Sequence, residues 1–374
     1  MRFVVLGAGL QGSACAYDLL RQPAVDEVIL ADLRADRLPR FLEPLRGPRL
    51  VTRALDFRDA AAAADVLHGA DVALCAAPYY FNYELSRAAV EAGVHFADLG
   101  GNTEIVFRQQ TLDARARERG VSVVPDVGLA PGIVNVLAAD DVRLYVGGLP
   151  QAPEPPLQYH VVYSLEGVLD YYTTPSWILR DGRRVQVAAL SEVEPLEIPP
   201  IGALEAFHTG GGISTLPWTY EGKVRRMEYK TLRYPGHAKI VGAIRDLGLL
   251  DLEPVKVKDA EVRPRDVFLA VAGPRLQKPE MRDLVALRVQ VTGRSGGRRI
   301  RHLWECVDRY DEAAGISAME RTTGFTLSIV GLLLAGGAIE PGVRTPDGAL
   351  PADRFVSELA KRGIRIEHRE EALD

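Results

Sequence analysis

The chain has 374 residues, 45 Lys plus Arg against 50 Asp plus Glu for a formal net charge of −5, and 47% hydrophobic residues. That length allows two or three domains with real cores, and the composition excludes a disordered, collagenous or membrane-bundle chain. A mildly acidic balance also lacks the footprint of a dedicated nucleic-acid binder.

Residues 1–16, MRFVVLGAGLQGSACA, share an apolar stretch and small residues with secretory leaders. Three glycines and Gln11 interrupt the stretch, and a helical pattern leading to a second apolar run follows, so it reads as a buried strand and a glycine turn. No later run spans a bilayer of ~30 Å; Ile329 to Ala338 is short and holds three glycines. Cys15, Cys75 and Cys306 are too few and too scattered for a disulfide framework or a C-x-x-C metal or redox motif. The expectation is a soluble cytoplasmic protein that binds neither membrane nor nucleic acid.

Strands are predicted at Arg2–Leu6, Glu27–Ala31, Arg49–Arg53, Asp71–Cys75, Val94–Ala97 and Val121–Val124. Amphipathic helices are predicted between them at Leu10–Arg21, Asp36–Leu45, Asp59–His68, Asn82–Ala92 and Glu104–Arg119. This alternation predicts a doubly wound parallel sheet of Rossmann type. From about Asp140 the rhythm changes, and Pro150–Pro156, with four prolines, reads as a stiff connection. Strand patterns follow at Gln158–Ser164, Arg183–Ala188, Lys223–Leu232, Leu284–Thr292 and Arg298–Val307. The last two flank a glycine-rich turn and form an antiparallel hairpin whose basic tip, Arg294, Arg298, Arg299 and Arg301, reads as solvated. Ala318–Ala335 and Asp353–Arg362 return to helical spacing. The α/β chain therefore divides into a dinucleotide-binding domain at 1–139, completed by helices from about 310–374, and an α+β domain with a largely antiparallel open sheet at 140–309.

Gly7, Gly9 and Gly12 follow the first strand and open the first helix, with Leu10 and Gln11 between them. Such glycines permit a tight turn, close approach of a pyrophosphate and close helix packing, and the phosphate meets free N–H groups at the helix N-terminus. Asp32 lies 20 residues beyond Gly12, where a carboxylate accepts bonds from the adenosine ribose and repels a 2′-phosphate. The cofactor expected is NAD, with Arg34 as the opposing signal. Asp56 and Phe57 after the third strand are candidates for the adenine border, a helix cap being the equal reading. Ala76, Ala77 and Pro78 follow the fourth strand at the edge where ligands bind, with Tyr79, Tyr80 and Asn82 nearby. Asp98-Leu-Gly-Gly-Asn102 and Pro125-Asp126-Val127-Gly128-Leu-Ala-Pro-Gly132 follow the fifth and sixth strands at the same edge. For Asn102 and Asp126, each expected to precede a helix, capping is the equal reading.

No Tyr is followed four residues later by Lys, so the Tyr–Lys relay of short-chain dehydrogenases is missing. His and Cys lack the paired spacing of a zinc site, and no metal is expected. The first of the seven lysines is Lys223, which excludes a lysine base from the cofactor half.

The glycine fingerprint, DLGGN, PDVGLAPG, Ser164-Leu-Glu166-Gly, Thr231-Leu-Arg233-Tyr-Pro-Gly-His237 and Arg321-Thr-Thr-Gly324 together resemble the saccharopine dehydrogenase-like family over nearly the whole chain. The GGN and PDVGLAPG loops are most similar to its lysine 6-dehydrogenase branch. The resemblance implies NAD-dependent oxidative deamination of the lysine ε-amine, releasing ammonia and an aldehyde that cyclises. It also implies last helices that return to the Rossmann domain, and a homodimer built on the open sheet of the middle domain. For that chemistry His237 is the candidate base, because an unperturbed pKa of about 6.5 lies near working pH; a core or capping histidine is the alternative. Asp126 and Glu166 are candidates to hold developing positive charge. Arg233 is a candidate clamp for the α-carboxylate, and Asp170, Tyr171, Tyr172 and Tyr80 are candidates for the pocket wall. Competing readings are a saccharopine or carboxynorspermidine-type dehydrogenase acting on a secondary amine, for which Arg225, Arg226 and Lys230 would supply cations, and a non-catalytic NAD-binding protein.

Overall fold

The first strand β1 (Arg2–Leu6) is buried along Phe3–Leu6, as expected of a run too short for a helix and free of polar alternation. The computed structural model describes residues 1–374 apart from 36, 131, 133–140, 163, 279–281, 296–297 and 374. After β1 come α1 (Leu10–Leu20), β2 (Glu27–Asp32), β3 (Leu50–Ala54), α2 (Ala60–Leu67), β4 (Val72–Cys75), α3 (Asn82–Ala92), β5 (His95–Asp98), α4 (Thr103–Gln110), α5 (Asp113–Glu118) and β6 (Ser122–Val124). Next are β7 (Asp141–Pro150), α6 (Leu165–Thr173), β8 (Ser176–Arg180), β9 (Arg183–Val187), β10 (Glu194–Ile198), β11 (Gly202–His208), α7 (Leu216–Thr219), β12 (Arg226–Arg233), α8 (His237–Asp246), β13 (Val255–Val257), β14 (Ala260–Val262), α9 (Pro264–Leu276), β15 (Asp283–Ser295) and β16 (Arg298–Arg309). The chain ends with α10 (Ala318–Glu320), a π-helical turn at Arg321–Phe325, α11 (Thr326–Ala335), β17 (Gly342–Val343), α12 (Pro346–Ala349), α13 (Ala352–Lys361) and β18 (Glu367–Leu373).

Two units result. One comprises Met1–Ala138, Ile213–Leu216 and Asp311–Ile366, the other Ala139–Gly212, Pro217–Tyr310 and Glu367–Asp374. The first holds a parallel sheet in the order β3-β2-β1-β4-β5-β6-β17. Strand order reverses between β1 and β4, so the crevice outside their carboxyl ends is where open α/β sheets bind ligands. Val4, Leu6, Ile29, Ala73, Leu85 and Phe96 fill one face of this sheet. The returning helix lies flush on α1: a Cβ at Gly324 would stand 2.7 Å from the Gln11 carbonyl.

The second unit carries a mixed sheet in the order β10-β11-β12-β7-β15-β16-β18, with β8 paired to β12 and β9 to β8. Among the described residues only its β12–β7 pairing is parallel, and the β15–β16 hairpin is the one predicted. Among the described residues no helix is long and apolar enough to cross a membrane.

Several predicted elements are corrected. Pro39 and Pro44 remove N–H donors from the expected helix at 36–45, leaving one tight turn at Glu43–Leu45. The helix expected over 104–119 is broken at Thr111, whose hydroxyl donates back to the Arg108 carbonyl. Described residues in 158–162 form no strand: Gln158 has φ 49° and Val161 donates to Leu276 of α9, so this segment is a loop on the α9 side. The tail does not end in helices, because Glu367–Leu373 adds an edge strand beside β16. No helix begins in the described residues directly after Asp126, at 127–130.

Candidate functional site

Three glycines shape the mouth of the first unit. Gly7 has φ 109°, and a Cβ there would meet the Ala76 carbonyl at 2.8 Å, while a Cβ at Gly12 would strike the Gly7 carbonyl at 1.9 Å. These approaches seat α1 directly behind the loop. Gly9, by contrast, is exposed with nothing within 4 Å of its Cβ position, and it starts α1 without a side-chain cap. An open backbone surface at an uncapped N-terminus suits a phosphate group. Leu10 is exposed, and Gln11 keeps a buried amide oxygen without a partner among the described residues.

Asp32 ends β2 with its carboxylate turned back to the loop, accepting the N–H of Ala8 and of Arg34 at 3.0 Å each. A carboxylate has about four acceptor positions, so both bonds leave room for ribose hydroxyls. Asp56 does not reach outward: Arg58 holds it at 2.6 Å and pulls its pKa down to about 2, and Asp59 is the residue that caps α2. Phe57 packs on Phe81, ring centroids 5.6 Å apart. Ala76 and Ala77 pass from β4 to Pro78 and the tight turn Tyr79–Phe81, where Tyr80 is 60% exposed.

Deeper at the same edge lies a polar knot. Asp98, at the end of β5, accepts Asn82 Nδ2 at 2.8 Å, Gln109 Nε2 at 2.7 Å and the Gly100 N–H at 2.7 Å. Burial lifts its pKa to about 6 against those bonds. Asn102 caps α4 through its amide oxygen, at 3.2 Å from the Ile105 nitrogen, with the Nδ2 donors left to face a ligand. Val127 is buried and donates its N–H to the Asp98 carbonyl, and Gly128 bridges to Gly132.

Asp126 differs from all of these. It is 1% exposed, sits at φ 63°, where few non-glycine residues go, and neither carboxylate oxygen has a hydrogen-bond partner among the described residues. Its Oδ1 presses against Gly100, where a Cβ would lie 1.9 Å away. Burial pushes its pKa up to about 7; the nearby Ser214 hydroxyl and Gly101 N–H oppose the rise, and the charges of Asp98 and Asp347 add to it. An orphaned buried carboxyl poised near neutrality, beside a nucleotide-type loop, is chemically a proton acceptor or a seat for a cation. Ser214, itself buried, was not singled out from sequence; the run Gly210-Gly-Gly-Ile-Ser-Thr215 was the available signal.

The second unit uses most of its expected site residues as structure. His237 is 2% exposed; Nδ1 lies 2.9 Å from the Leu157 carbonyl and Nε2 2.9 Å from the Tyr172 hydroxyl. The carbonyl can only accept, so Nδ1 carries the hydrogen and Nε2 accepts from Tyr172. Burial, helped by the charge of Arg233, drives its pKa down to about 3. His237 is thus corrected from general base to a neutral core histidine with both nitrogens engaged. Arg233 is buried, donates to Tyr172 Oη at 3.0 Å and to the Leu232 carbonyl at 2.8 Å, and stacks on Tyr159 at 4.6 Å, so it is not an open carboxylate clamp. Tyr172 is the hinge of that cluster. Asp170 is bound by the buried Arg265, tying α6 to α9. Tyr171 packs over Gly211. Glu166 is exposed in the first turn of α6, behind the Ser164 cap. Glu205, missed in sequence, caps α8 by accepting the N–H groups of Gly236 at 2.8 Å and Ala238 at 2.6 Å.

Glu192, His208 and Glu228 present donor atoms within 4.8 Å of one another. Arg226 stands 2.8 Å and Arg143 3.5 Å from Glu228, while Lys230 bonds the Glu192 carbonyl at 2.8 Å. With three cations already in place, the donor set does not fit a metal ion.

Residues 3–124 match the family described as Saccharopine dehydrogenase NADP binding domain, and residues 128–364 match Saccharopine dehydrogenase C-terminal domain. Mitochondrial alpha-aminoadipic semialdehyde synthase of Mus musculus is 26% identical over 214 residues, 52% of this chain and 23% of that protein. Saccharopine dehydrogenase [NADP(+), L-glutamate-forming] of Pyricularia oryzae is 26% identical over 227 residues, 55% of this chain and 50% of the relative. The chain thus matches half or less of the length of these curated relatives. Apo saccharopine dehydrogenase (L-Glu forming) from Saccharomyces cerevisiae superposes with TM-score 0.80 at 20% identity, covering 99% of this chain and 100% of that one. Homospermidine synthase from Legionella pneumophila, solved with NAD, gives TM-score 0.69 at 11% identity over 99% and 91% of the two chains. These structures share the fold, and the two domain matches together span almost the whole sequence: the chain belongs to the saccharopine dehydrogenase family.

Proposed function

We propose that this protein is an NAD-dependent oxidoreductase acting on a carbon–nitrogen bond, with the ε-amine of L-lysine as substrate. The observation that carries the reading is Asp126, a buried carboxyl with no well-formed hydrogen bond to either oxygen among the described residues, at the ligand edge of the nucleotide-type sheet and with its pKa pushed up to about 7. The residues fit a dinucleotide: the Gly7–Gly12 loop would hold the pyrophosphate and Asp32 the adenosine ribose. When bound, the nicotinamide supplies the hydride acceptor. A carboxylate at Asp32 also favours NAD over a 2′-phosphorylated cofactor.

As carboxylate, Asp126 takes a proton from the substrate ammonium, leaving the nitrogen lone pair needed to expel hydride from Cε. Its charge then offsets the cationic iminium. Asp98, held by Asn82, Gln109 and Gly100, fixes the loop that carries Asp126. Water adds to the iminium carbon, the C–N bond breaks, and ammonium leaves with the aldehyde. The balance is amine cation, NAD and water giving aldehyde, ammonium, NADH and one proton.

The second reading is a saccharopine-type secondary amine, favoured by the names of the curated relatives. The cations suggested for so acidic a substrate are engaged: Arg226 with Glu228, Lys230 with Glu194, and Arg225 with Asp141. The test is NADH formation by purified protein with NAD or NADP and lysine, ornithine, saccharopine or 2-aminoadipate. Lysine turnover with NAD supports the proposal. Saccharopine turnover replaces it with the second reading, and cofactor binding without turnover makes the protein non-catalytic.

A further inference from the structure

His302 on β16 and His368 on β18 lie 66 residues apart in the chain and meet on one face of the second unit's sheet. In the register of that strand pair His302 stands opposite Glu370, and Trp304 opposite His368. Side chains two apart on a strand share a face, so these four project together. His302 Nδ1 lies 3.1 Å from His368 Nε2 and 3.9 Å from Glu370 Oε2. Both imidazole rings lie nearly parallel to the Trp304 indole, with ring centroids 5.6 Å away for His302 and 4.7 Å for His368. The cluster is open to water: the His302 side chain is 36% and that of Glu370 58% exposed, and His368 is exposed as well. Arg301 and Arg369 project from the opposite face, paired with Glu371 and Glu305. The donors at Glu192, His208 and Glu228, by contrast, are met by cations.

We propose that His302 and His368, with Glu370 as third donor, bind a divalent transition-metal ion of the kind that prefers imidazole, such as Cu(II) or Zn(II). Two ring nitrogens pointed at each other share one hydrogen or their lone pairs repel; an ion takes the place of that hydrogen and uses both lone pairs. An ion about 2.0–2.1 Å from each of two nitrogens 3.1 Å apart sees them at about 100°, between the right angle of tetragonal Cu(II) and the tetrahedral angle of Zn(II). A tilt of the two rings aims the lone pairs at that position. Glu370, mostly exposed, turns to supply an oxygen, and water completes the coordination. The ion clips β18 to β16 where the chain rejoins the second unit after Asp311–Ile366. A clip across so long a loop removes chain entropy from the unfolded state and so stabilises the edge strand.

The test is titration of the full chain with Cu(II) while tryptophan fluorescence is read, because Trp304 lies against both rings. Saturable quenching at one ion per chain is expected. That quenching should vanish in Trp304→Phe and need about tenfold or more Cu(II) in His302→Gln and in His368→Gln, each of which removes one ligand. His68→Gln, an exposed histidine on the first unit, should titrate like the parent. As an independent readout, Zn(II) should raise the thermal midpoint of the parent, as a ligand of the folded state does, and leave that of His302→Gln unmoved. Mg(II), which takes oxygen ligands, should do neither. Absence of saturable quenching overturns the proposal. So does quenching that persists in Trp304→Phe or is equal in the two histidine variants and the parent, a midpoint that Zn(II) raises in His302→Gln as much as in the parent, or a response to Mg(II) equal to that to Cu(II) or Zn(II).

Discussion

Asp126→Asn should make the protein more stable and less active at the same time. Asparagine keeps the side-chain shape and tolerates the left-handed backbone that Asp126 adopts at φ 63°. Burial raises the carboxyl from 3.8 to about 7, so the folded chain resists ionising this group. Because the folded value lies above the unfolded one, no cost exists below about pH 4; it accumulates as pH rises to about 7 and is constant beyond. A shift of about three units corresponds to about 4 kcal/mol at 1.36 kcal/mol per unit, all of it absent in the asparagine variant. At about 2–4 °C per kcal/mol, Asp126→Asn should gain on the order of 10 °C over the parent at pH 8 and almost nothing at pH 4. Thermal unfolding by circular dichroism from pH 4 to 8, without cofactor, reads this directly. Turnover should fall by about 10²–10⁴, the usual scale of a lost acid/base group. In the parent, kcat/KM for amine oxidation should rise with pH and level off above about 7, as the carboxylate forms. A stability gap that does not change with pH, or a variant less stable at pH 8, would refute the reasoning.

Gly100→Ala places a Cβ 1.9 Å from Asp126 Oδ1 at φ 73°; turnover should drop at least tenfold while the far-ultraviolet spectrum is preserved, since the clash is confined to one loop. Asp32→Ala should narrow the preference for NAD over NADP by about tenfold or more in kcat/KM, as the charge opposing a 2′-phosphate is lost. His237→Phe removes the acceptor of the Tyr172 O–H and the donor to the Leu157 carbonyl; it should cost about 1–3 kcal/mol per orphaned group in denaturant unfolding. Turnover per folded molecule should change less than fivefold, and a larger fall would return His237 to the chemistry.

What could be read from sequence was local. The β1 run, the glycine spacing and Asp32 at the end of β2 depend on neighbours within some 30 residues, and the parallel order of the first sheet follows from their repetition. The loops holding Asp98, Asn102 and Asp126 were likewise legible as ligand-edge loops. Their chemistry was not. Asp98 is satisfied by Gln109 and Asn82, while neither Asp126 oxygen has a well-formed partner among the described residues, a difference made by chain packing that no spacing encodes. His237 misled for the same reason: a histidine after Pro-Gly reads as a loop residue, but the Leu157 carbonyl, 80 residues away, closes over it. Glu205 reaches the start of α8 across 31 residues, and β18 carries four charges in seven residues, which hides an edge strand from a hydrophobic pattern.

The central claim is oxidation of a primary amine with release of its nitrogen, and the most direct measurement is the ratio of ammonia to NADH formed from lysine in one reaction. One ammonia per NADH is predicted, with both lost in Asp126→Asn. NADH formed from saccharopine without ammonia, or no NADH from lysine at any pH between 6 and 10, would contradict it.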